Sequence, residues 1–156
     1  MIEQLITSSF LIVAVLLLRK FAFPEKADSS ETEMVEMSYT IRLEKVRSFT
    51  LGSLHQGDRF YDGTVDAFVG EVEKIESEAY CETRINEQGE TVQVEVPGYY
   101  TVLLTLRGEG LDKEDGYYLS GLVELKSGSK FLMYSKYIEL EGEVCSIALA
   151  GEKEAA

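Results

Sequence analysis

The strongest constraint on the fold is a 14-residue apolar stretch close to the first residue of the sequence. Residues Leu5–Leu18 contain no charged side chain, and Arg19 and Lys20 follow directly. At about 1.5 Å per helical residue the stretch alone is shorter than the roughly 30 Å hydrocarbon core of a membrane. Arg19 and Lys20 have long aliphatic stems that reach toward lipid headgroups, and the apolar character continues to Phe23 before Pro24 ends the helix.

We therefore predict an uncleaved transmembrane anchor over residues 1–24. A cleaved signal peptide needs a cationic start and a cleavage site with small residues, whereas the chain begins Met-Ile-Glu-Gln and offers Phe-Ala-Phe. A buried core helix and an interfacial helix compete with this prediction, but an interfacial helix needs a polar face, which Phe10–Leu18 lacks. The anchor prediction rests on Leu5, Phe10, Leu11, Ile12, Val13, Val15, Leu16, Leu17, Leu18, Arg19 and Lys20.

The anchor predicts a single-pass protein of the cell membrane that contacts lipid through its N-terminal helix. Lys and Arg collect on the cytoplasmic side of a span, and here Arg19 and Lys20 follow the apolar stretch. Taken alone, this order favours a cytoplasmic location for the residues after the anchor. Two cations do not decide the orientation, so the side of the membrane stays open.

The rest of the chain is strongly acidic. The sequence has 28 acidic and 15 basic residues, and without Glu3, Arg19 and Lys20 the remainder has 27 and 13, a net charge of −14. This charge repels nucleic acid and anionic lipid headgroups, so we expect neither as a partner. Divalent cations or a basic protein surface are compatible companions, and solubility alone also explains the composition. We expect a protein partner, whose identity the sequence does not give.

Composition divides the chain further. Residues 25–36 are polar, acidic and aperiodic, which predicts a flexible linker, and residues 150–156 are predicted to be a disordered tail. Residues 37–149 remain for one β-domain. Cys81 and Cys145 lie outside any C-x-x-C motif and His55 is the sole histidine, so a structural zinc site is nearly excluded. We expect two buried free thiols, with a disulfide left open.

Period-two alternation begins at once in the predicted domain. Met37, Tyr39, Ile41 and Leu43 fall on one face of a strand. Residues 86–89, Asn-Glu-Gln-Gly, predict a hairpin turn with Gly89 at positive φ, and Val92, Val94 and Val96 alternate with polar residues on its second arm. Residues 99–106 are the most apolar strand and are predicted to be central, whereas residues 108–116 are predicted to be a polar loop.

The strands recur about every 8 to 12 residues and no segment after the anchor has a convincing helical period. The predicted fold class is therefore all-β. We predict a small β-barrel preceded by one N-terminal transmembrane helix, with a β-sandwich as the alternative.

Two segments of this domain share a pattern. Each has G-x-[RK]-F followed by G-E-V-x-x-I at almost the same distance. A turn, two strands and a glycine kink occurring twice would suit a barrel with a pseudo-twofold repeat, although such short patterns also recur by coincidence. The repeat comprises Gly57, Phe60, Gly70, Val72 and Ile75, and then Gly128, Phe131, Gly142, Val144 and Ile147.

These glycine-rich motifs also carry a resemblance. The Gly-Asp turn at residues 57–58, the G-E-V-x-x-I strand and the late run over residues 128–147 resemble a family of bacterial single-span proteins found in clostridia and cyanobacteria. That family is classed as a domain of unknown function. The resemblance covers residues 39–149 and implies a small β-domain behind an N-terminal span, without implying any catalytic residue. Members usually carry cations ahead of the span, which implies a domain outside the cytoplasm, whereas this chain carries them behind it.

Few residues point to chemistry. His55 has no serine or cysteine nucleophile near it in sequence, which indicates a surface residue rather than a general base. Asp112, Glu114 and Asp115 lack the spacing of an EF-hand loop. Asp58 and Asp62 are typical of turn residues that accept backbone hydrogen bonds. We therefore predict no catalytic residue, no metal site and no cofactor.

Paired tyrosines are the best candidates for a partner surface. Adjacent strand residues point to opposite faces, so one tyrosine of each pair is expected on the exterior, and we single out Tyr99, Tyr117 and Tyr134. The alternative is that these rings seal sheet edges. The predicted function is a non-enzymatic, membrane-anchored β-domain that binds or scaffolds a membrane or envelope component. The alternatives are an accessory or sensor subunit of a membrane complex and an enzyme acting on envelope polysaccharide.

Overall fold

The computed structural model describes residues 33–151. The predicted anchor and most of the predicted linker and tail lie outside the described residues. Within residues 33–151 the chain forms eight strands and one short helix. These elements are β1 (Met34–Arg47), α1 (Ser48–Leu51), β2 (Arg59–Asp62), β3 (Phe68–Ile85), β4 (Thr91–Lys113), β5 (Gly116–Leu119), β6 (Val123–Leu125), β7 (Lys130–Tyr134) and β8 (Glu139–Leu149).

All eight strands belong to one antiparallel sheet, which confirms the predicted all-β fold class. The strand order is β1-β8-β7-β2-β3-β4-β5-β6, and β1 also pairs with β4. Hydrogen bonding therefore runs from β1 through β8, β7, β2, β3 and β4 and returns to β1. Strand β4 pairs with β1, β3 and β5, which confirms that its apolar segment is central.

The core lies on the face that the sequence pattern predicted. Met37, Tyr39, Ile41 and Leu43 of β1 are each at most 2 % exposed, whereas the residues between them are more exposed. They pack with buried residues of other strands, among them Phe60, Val69, Val72, Val102, Leu104, Leu106, Leu119, Leu125, Met133 and Val144. Strand β1 begins at Met34, inside the segment predicted as linker, because Met34 pairs with Leu111 of β4.

The polar loop predicted at residues 108–116 is wrong, because β4 continues to Lys113. Its glycines allow neighbouring strands to approach: a β-carbon on Gly108 would lie 2.6 Å from the Val69 carbonyl oxygen, and one on Gly110 would collide with the Tyr118 carbonyl. Glycine here serves close backbone contact rather than a turn.

The two G-x-[RK]-F segments make matching backbone contacts. In β2 and β3, Phe60 pairs with Gly70, and the Gly57 amide donates to the Val72 carbonyl at 2.8 Å. In β7 and β8, the corresponding pair is Phe131 with Gly142, and the Gly128 amide donates to the Val144 carbonyl at 2.7 Å. Gly57 and Gly128 have φ of 90° and 85°, a left-handed conformation that favours glycine.

Strands β3 and β4 extend well beyond their contacts with the rest of the sheet. The regular pairing ends at Ala79 with Tyr100 and resumes at Cys81 with Glu95. Residues 96–99 of β4, including Pro97 and Gly98 (φ 83°), therefore stand opposite a single residue of β3. This irregularity separates a distal two-stranded segment from the body of the sheet.

The ends of the described domain are neighbours. Strands β1 and β8 pair antiparallel, with Met37 opposite Leu149. The Ala150 amide donates to the Glu36 carbonyl at 2.9 Å. The chain therefore enters and leaves the sheet at adjacent positions.

Candidate functional site

The distal part of the β3–β4 hairpin, residues 81–95, is here named the arm. Its strands pair with each other, from Cys81 with Glu95 to Ile85 with Thr91. Within residues 33–151 these two segments have no pairing with any other strand. The turn confirms the sequence prediction: Gly89 has φ 79°, and the Asn86 side-chain oxygen accepts hydrogen bonds from the Gln88 and Glu90 amides at 3.0 and 2.8 Å.

The two faces of the arm differ in chemistry. Cross-strand partners share a face, and Glu82 pairs with Val94 while Arg84 pairs with Val92. The two valines are half-buried, so one face combines an apolar stripe with charges. The opposite face carries exposed residues, namely Cys81, Thr83, Ile85, Thr91, Gln93 and Glu95.

A small ionic network joins the arm to the end of β1. Lys45 Nζ lies 3.3 Å from the Glu82 carboxylate, which also contacts Arg84 at 3.3 Å. Lys45 additionally lies over the Tyr80 ring, 5.5 Å from its centroid. The hydrogen bond with Glu82 raises the pKa of Lys45, and the same bond lowers the pKa of Glu82. These side chains are partly or largely exposed, so the network contributes little to stability.

The three tyrosines singled out from the sequence lie in separate surroundings. Tyr99 is in the irregular segment of β4, where the Arg47 guanidinium lies 5.9 Å from its ring centroid. Tyr117 is in β5 and packs against the core. Tyr134 stacks on Tyr61 of β2, with ring centroids 5.8 Å apart. They therefore do not share one surface in the described structure.

Tyr134 belongs to an aromatic row across three neighbouring strands. The Tyr61 ring meets Phe68 edge-on at 5.7 Å, and the Arg59 guanidinium lies 4.3 Å from the Phe68 centroid. At the other end the Tyr134 hydroxyl donates to Asp66 at 3.0 Å, a hydrogen bond that raises the pKa of Tyr134. Tyr61 therefore stacks on one neighbouring ring and meets the other edge-on, so that the three rings pack against one another.

An open groove of about 840 Å³ lies beside this row. Its walls carry four carboxylates, on Glu36, Glu71, Glu73 and Glu109, together with Arg59 and Arg107. Arg107 contacts Glu73 at 2.5 Å and Glu36 at 3.4 Å, and the hydrogen bond with Glu73 raises the pKa of Arg107. The groove is therefore an ionic patch whose central guanidinium is already paired. Sequence reasoning missed it because its residues come from strands far apart in the chain.

The residues considered for chemistry lie apart in the structure. His55 is exposed, with Nδ1 3.7 Å from Asp58, and its amide donates to Asp58 at 2.9 Å. Asp62 is buried and accepts hydrogen bonds from the Thr64 and Val65 amides at 2.8 and 2.9 Å, which is the predicted turn role. Asp115 accepts the Tyr118 hydroxyl at 2.9 Å.

Both cysteines are exposed and unbonded, on β3 and β8, so the prediction of buried thiols is wrong. Each stands next to a position that is more buried than itself: Cys81 follows half-buried Tyr80, and Cys145 follows buried Val144. Because neighbouring strand residues point to opposite faces, the thiols point outward.

Neither a metal-binding cluster nor a membrane-spanning helix is present in the part of the chain that the structure describes. Within residues 33–151 no group of three or more His, Cys, Asp or Glu side chains is arranged to hold a metal ion. The same residues contain no helix long and apolar enough to cross a membrane. The predicted anchor lies outside this range.

Comparison with known proteins gives one match. The family described as "Domain of unknown function (DUF4330)" matches residues 7–148 of the 156. No curated protein and no solved structure matches the chain.

Proposed function

Because the chain belongs to the DUF4330 family of unknown function, we propose a role from its geometry: a non-enzymatic, membrane-anchored module that binds a protein partner through the arm. The β-domain would be a small barrel, and the N-terminal span would hold it at the membrane of a bacterial cell. The arm would project from this barrel toward the partner.

One observation carries the proposal. Residues 81–95 form a two-stranded ribbon that pairs with no other strand in residues 33–151. A two-stranded ribbon by itself is only marginally stable in water, and a third strand or a packed face is usually needed. A partner that covers the arm would supply what the described domain does not.

Further observations support the architecture. The pairings that run from β1 through β8, β7, β2, β3 and β4 back to β1 support a six-stranded barrel. The matching contacts at Phe60 with Gly70 and at Phe131 with Gly142 support a pseudo-twofold repeat within it. The family match begins at residue 7 and so includes most of the apolar stretch, which supports an anchor that stays with the domain.

Site-specific photo-crosslinking in the membrane tests the proposal. The full chain would carry p-benzoylphenylalanine at Thr91, an exposed position of the arm, or at Glu141, an exposed position of β8 as the control. We expect a discrete adduct with a second polypeptide from position 91 and none from position 141. No adduct from position 91, or the same adducts from both positions, would contradict the proposal.

The accessory-subunit alternative is separable by the same experiment. If the span itself contacts the partner, removal of residues 1–24 should abolish the adduct even when the β-domain is brought to the membrane by an unrelated anchor. If the arm is sufficient, the adduct from position 91 should survive that replacement.

A further inference from the structure

The arm also carries information about the chemistry of its partner. Its 15 residues include Glu82, Glu87, Glu90 and Glu95 but a single basic residue, Arg84, for a net charge of −3. The positive group that reaches it from the rest of the described domain is Lys45, which contacts Glu82. Glu87 and Glu95 have no ion pair within residues 33–151 and are exposed.

The net charge of the arm favours some classes of binding partner over others. A second copy would bring another arm of charge −3 on a chain of charge −13, so pairing between copies would have to overcome like-charge repulsion. Nucleic acid and anionic lipid are disfavoured for the same reason. A polypeptide with positive side chains is the occupant that complements the arm.

The backbone of the arm adds a second requirement. Cys81–Ile85 pair with β4 on one edge, and their other edge has no partner within residues 33–151. The corresponding edge of β4 has Pro97 at its base, a residue without an amide donor. The open edge of β3 is therefore the better template for an added strand.

The side chains on the valine face of the arm give a third requirement for the partner. Val92 and Val94 form a half-buried stripe beside Glu82 and Arg84. A third strand along β3 would place one set of alternate side chains on this face, where apolar groups extend the stripe, and the other set on the opposite face, where positive groups lie on the side of Glu95.

We propose that the partner presents an extended, positively charged segment that adds as a third strand to the edge formed by Cys81–Ile85. This inference rests on the proposed function and specifies the partner that the arm binds. The strand would draw its affinity from main-chain hydrogen bonds and its selectivity from lysine or arginine side chains opposite the glutamates of the arm.

Peptide titration of the full-length, ¹⁵N-labelled chain tests the inference. The probe is a synthetic decapeptide of alternating lysine and valine. The first control is the same peptide with its alternate backbone amides methylated, which keeps the charge and removes strand pairing. The second control alternates glutamate and valine. We expect amide shifts concentrated in residues 81–95 with the first peptide, at least tenfold weaker binding after methylation and no binding of the acidic peptide.

Matched charge variants separate the arm from general attraction to an acidic protein. The double variant E87K/E95K and the control E139K/E141K each change the net charge by the same amount, and all four positions are exposed. The arm variant should bind the lysine–valine peptide at least tenfold more weakly than the control variant. Equal weakening in the two variants, shifts spread over all strands, or equal binding of the methylated peptide would overturn the inference.

The outcome is distinguishable from failure of the proposed function. A crosslink from position 91 without selective peptide binding would show an arm partner of different chemistry. Sedimentation of the chain alone as a dimer that E87K/E95K strengthens would identify the occupant as a second copy instead. Either result overturns the inference that a positively charged strand binds the arm. Whether the arm binds a protein partner at all is then decided by the crosslinking result.

Discussion

The hydroxyl groups of Thr40 and Thr105 lie 3.1 Å apart, on directly opposed positions of β1 and β4. Each threonine begins a T-x-R-x-E pattern, Thr40 to Glu44 and Thr105 to Glu109, and the relationship between the two becomes apparent only once the strands are paired. The two patterns meet at their first residues in an antiparallel pair, as two copies of one strand related by a local twofold axis would.

This contact predicts coupled effects on stability. Replacing either threonine by valine should lower the free energy of unfolding by about 1 kcal/mol, because a half-buried hydroxyl loses its partner. The double variant should cost clearly less than the sum of the singles. Urea unfolding of the full chain measures all three. The exposed Thr91→Val provides a control, expected within about 0.5 kcal/mol of the parent, and strict additivity would contradict the contact.

Tyr39 predicts a dependence of stability on alkaline pH. Its hydroxyl donates to the Val69 carbonyl at 2.6 Å, and burial raises the pKa of Tyr39 far above its usual value of about 10. The folded state therefore keeps a proton that the unfolded state releases, so the free energy of unfolding should fall as the pH rises above about 10. Urea unfolding at pH 8, 9, 10 and 11 measures this slope.

The matched variant is Tyr39→Phe. At pH 8 it should be less stable by about 1–3 kcal/mol, because the buried Val69 carbonyl loses its donor. Above pH 10 its slope should be shallower than that of the parent. A slope remains from Tyr118 and Tyr134, whose pKa values are raised by hydrogen bonds to Asp115 and Asp66. Identical slopes in the parent and the variant would refute the assignment to Tyr39.

Gly110 predicts a cost of adding one methyl group. A β-carbon there would collide with the Tyr118 carbonyl and lie near the Leu119 backbone, neither of which can move without disturbing the β4–β5 pairing. Gly110→Ala should therefore destabilise the domain by about 3 kcal/mol. Gly52→Ala, at a helical φ of −64° after α1, should leave the stability of the domain nearly unchanged. Thermal unfolding of both variants measures the two effects. Equal effects would show that close approach is not the reason for glycine at position 110.

We expect replacement of Asp62 by alanine and by asparagine to have different effects on stability. Its Oδ1 atom accepts two amide hydrogen bonds from the β2–β3 turn. Asp62→Ala should cost about 1–3 kcal/mol because both amides lose their acceptor. Asp62→Asn keeps an acceptor oxygen and should retain more than half of that stability, as urea unfolding would show. An asparagine variant as unstable as the alanine variant would indicate that the charge, rather than the acceptor, is required.

The anchor prediction has a direct measurement. The full chain should sediment with membranes and resist extraction by high salt, whereas a variant lacking residues 1–24 should remain in the supernatant. Recovery of the full chain in the supernatant without detergent would contradict the anchor.

The two-residue alternation of apolar side chains and the residue types of the turns made parts of the fold predictable. The buried side of β1 follows from its alternating residues, and the arm turn follows from Asn86 and Gly89. The failures share a physical cause, which is that tertiary neighbours were unknown. Glycines at 108 and 110 resemble loop residues until the backbones that press against them are known. Cys145 was expected in the core because the sequence does not show which residues of β8 point outward, and the structure places it on the exposed face.

The candidate site was less predictable than the fold. Tyr99, Tyr117 and Tyr134 were grouped by residue type, but strand order separates them. The arm, by contrast, was visible as a hairpin whose valines alternate with polar residues. Its role as an unpaired extension depends on knowing that β1 ends before it, which only the sheet order provides.

The adjacency of the two ends of the domain has a mechanical consequence. A tension applied between Glu36 and Ala150 would act at the end of the antiparallel β1–β8 pair, where their first shared hydrogen bond lies. Bonds loaded in this geometry break one after another, as in a zipper, instead of resisting together as they do under shear. A tension applied at these two residues would therefore separate β8 from β1 one hydrogen bond after another.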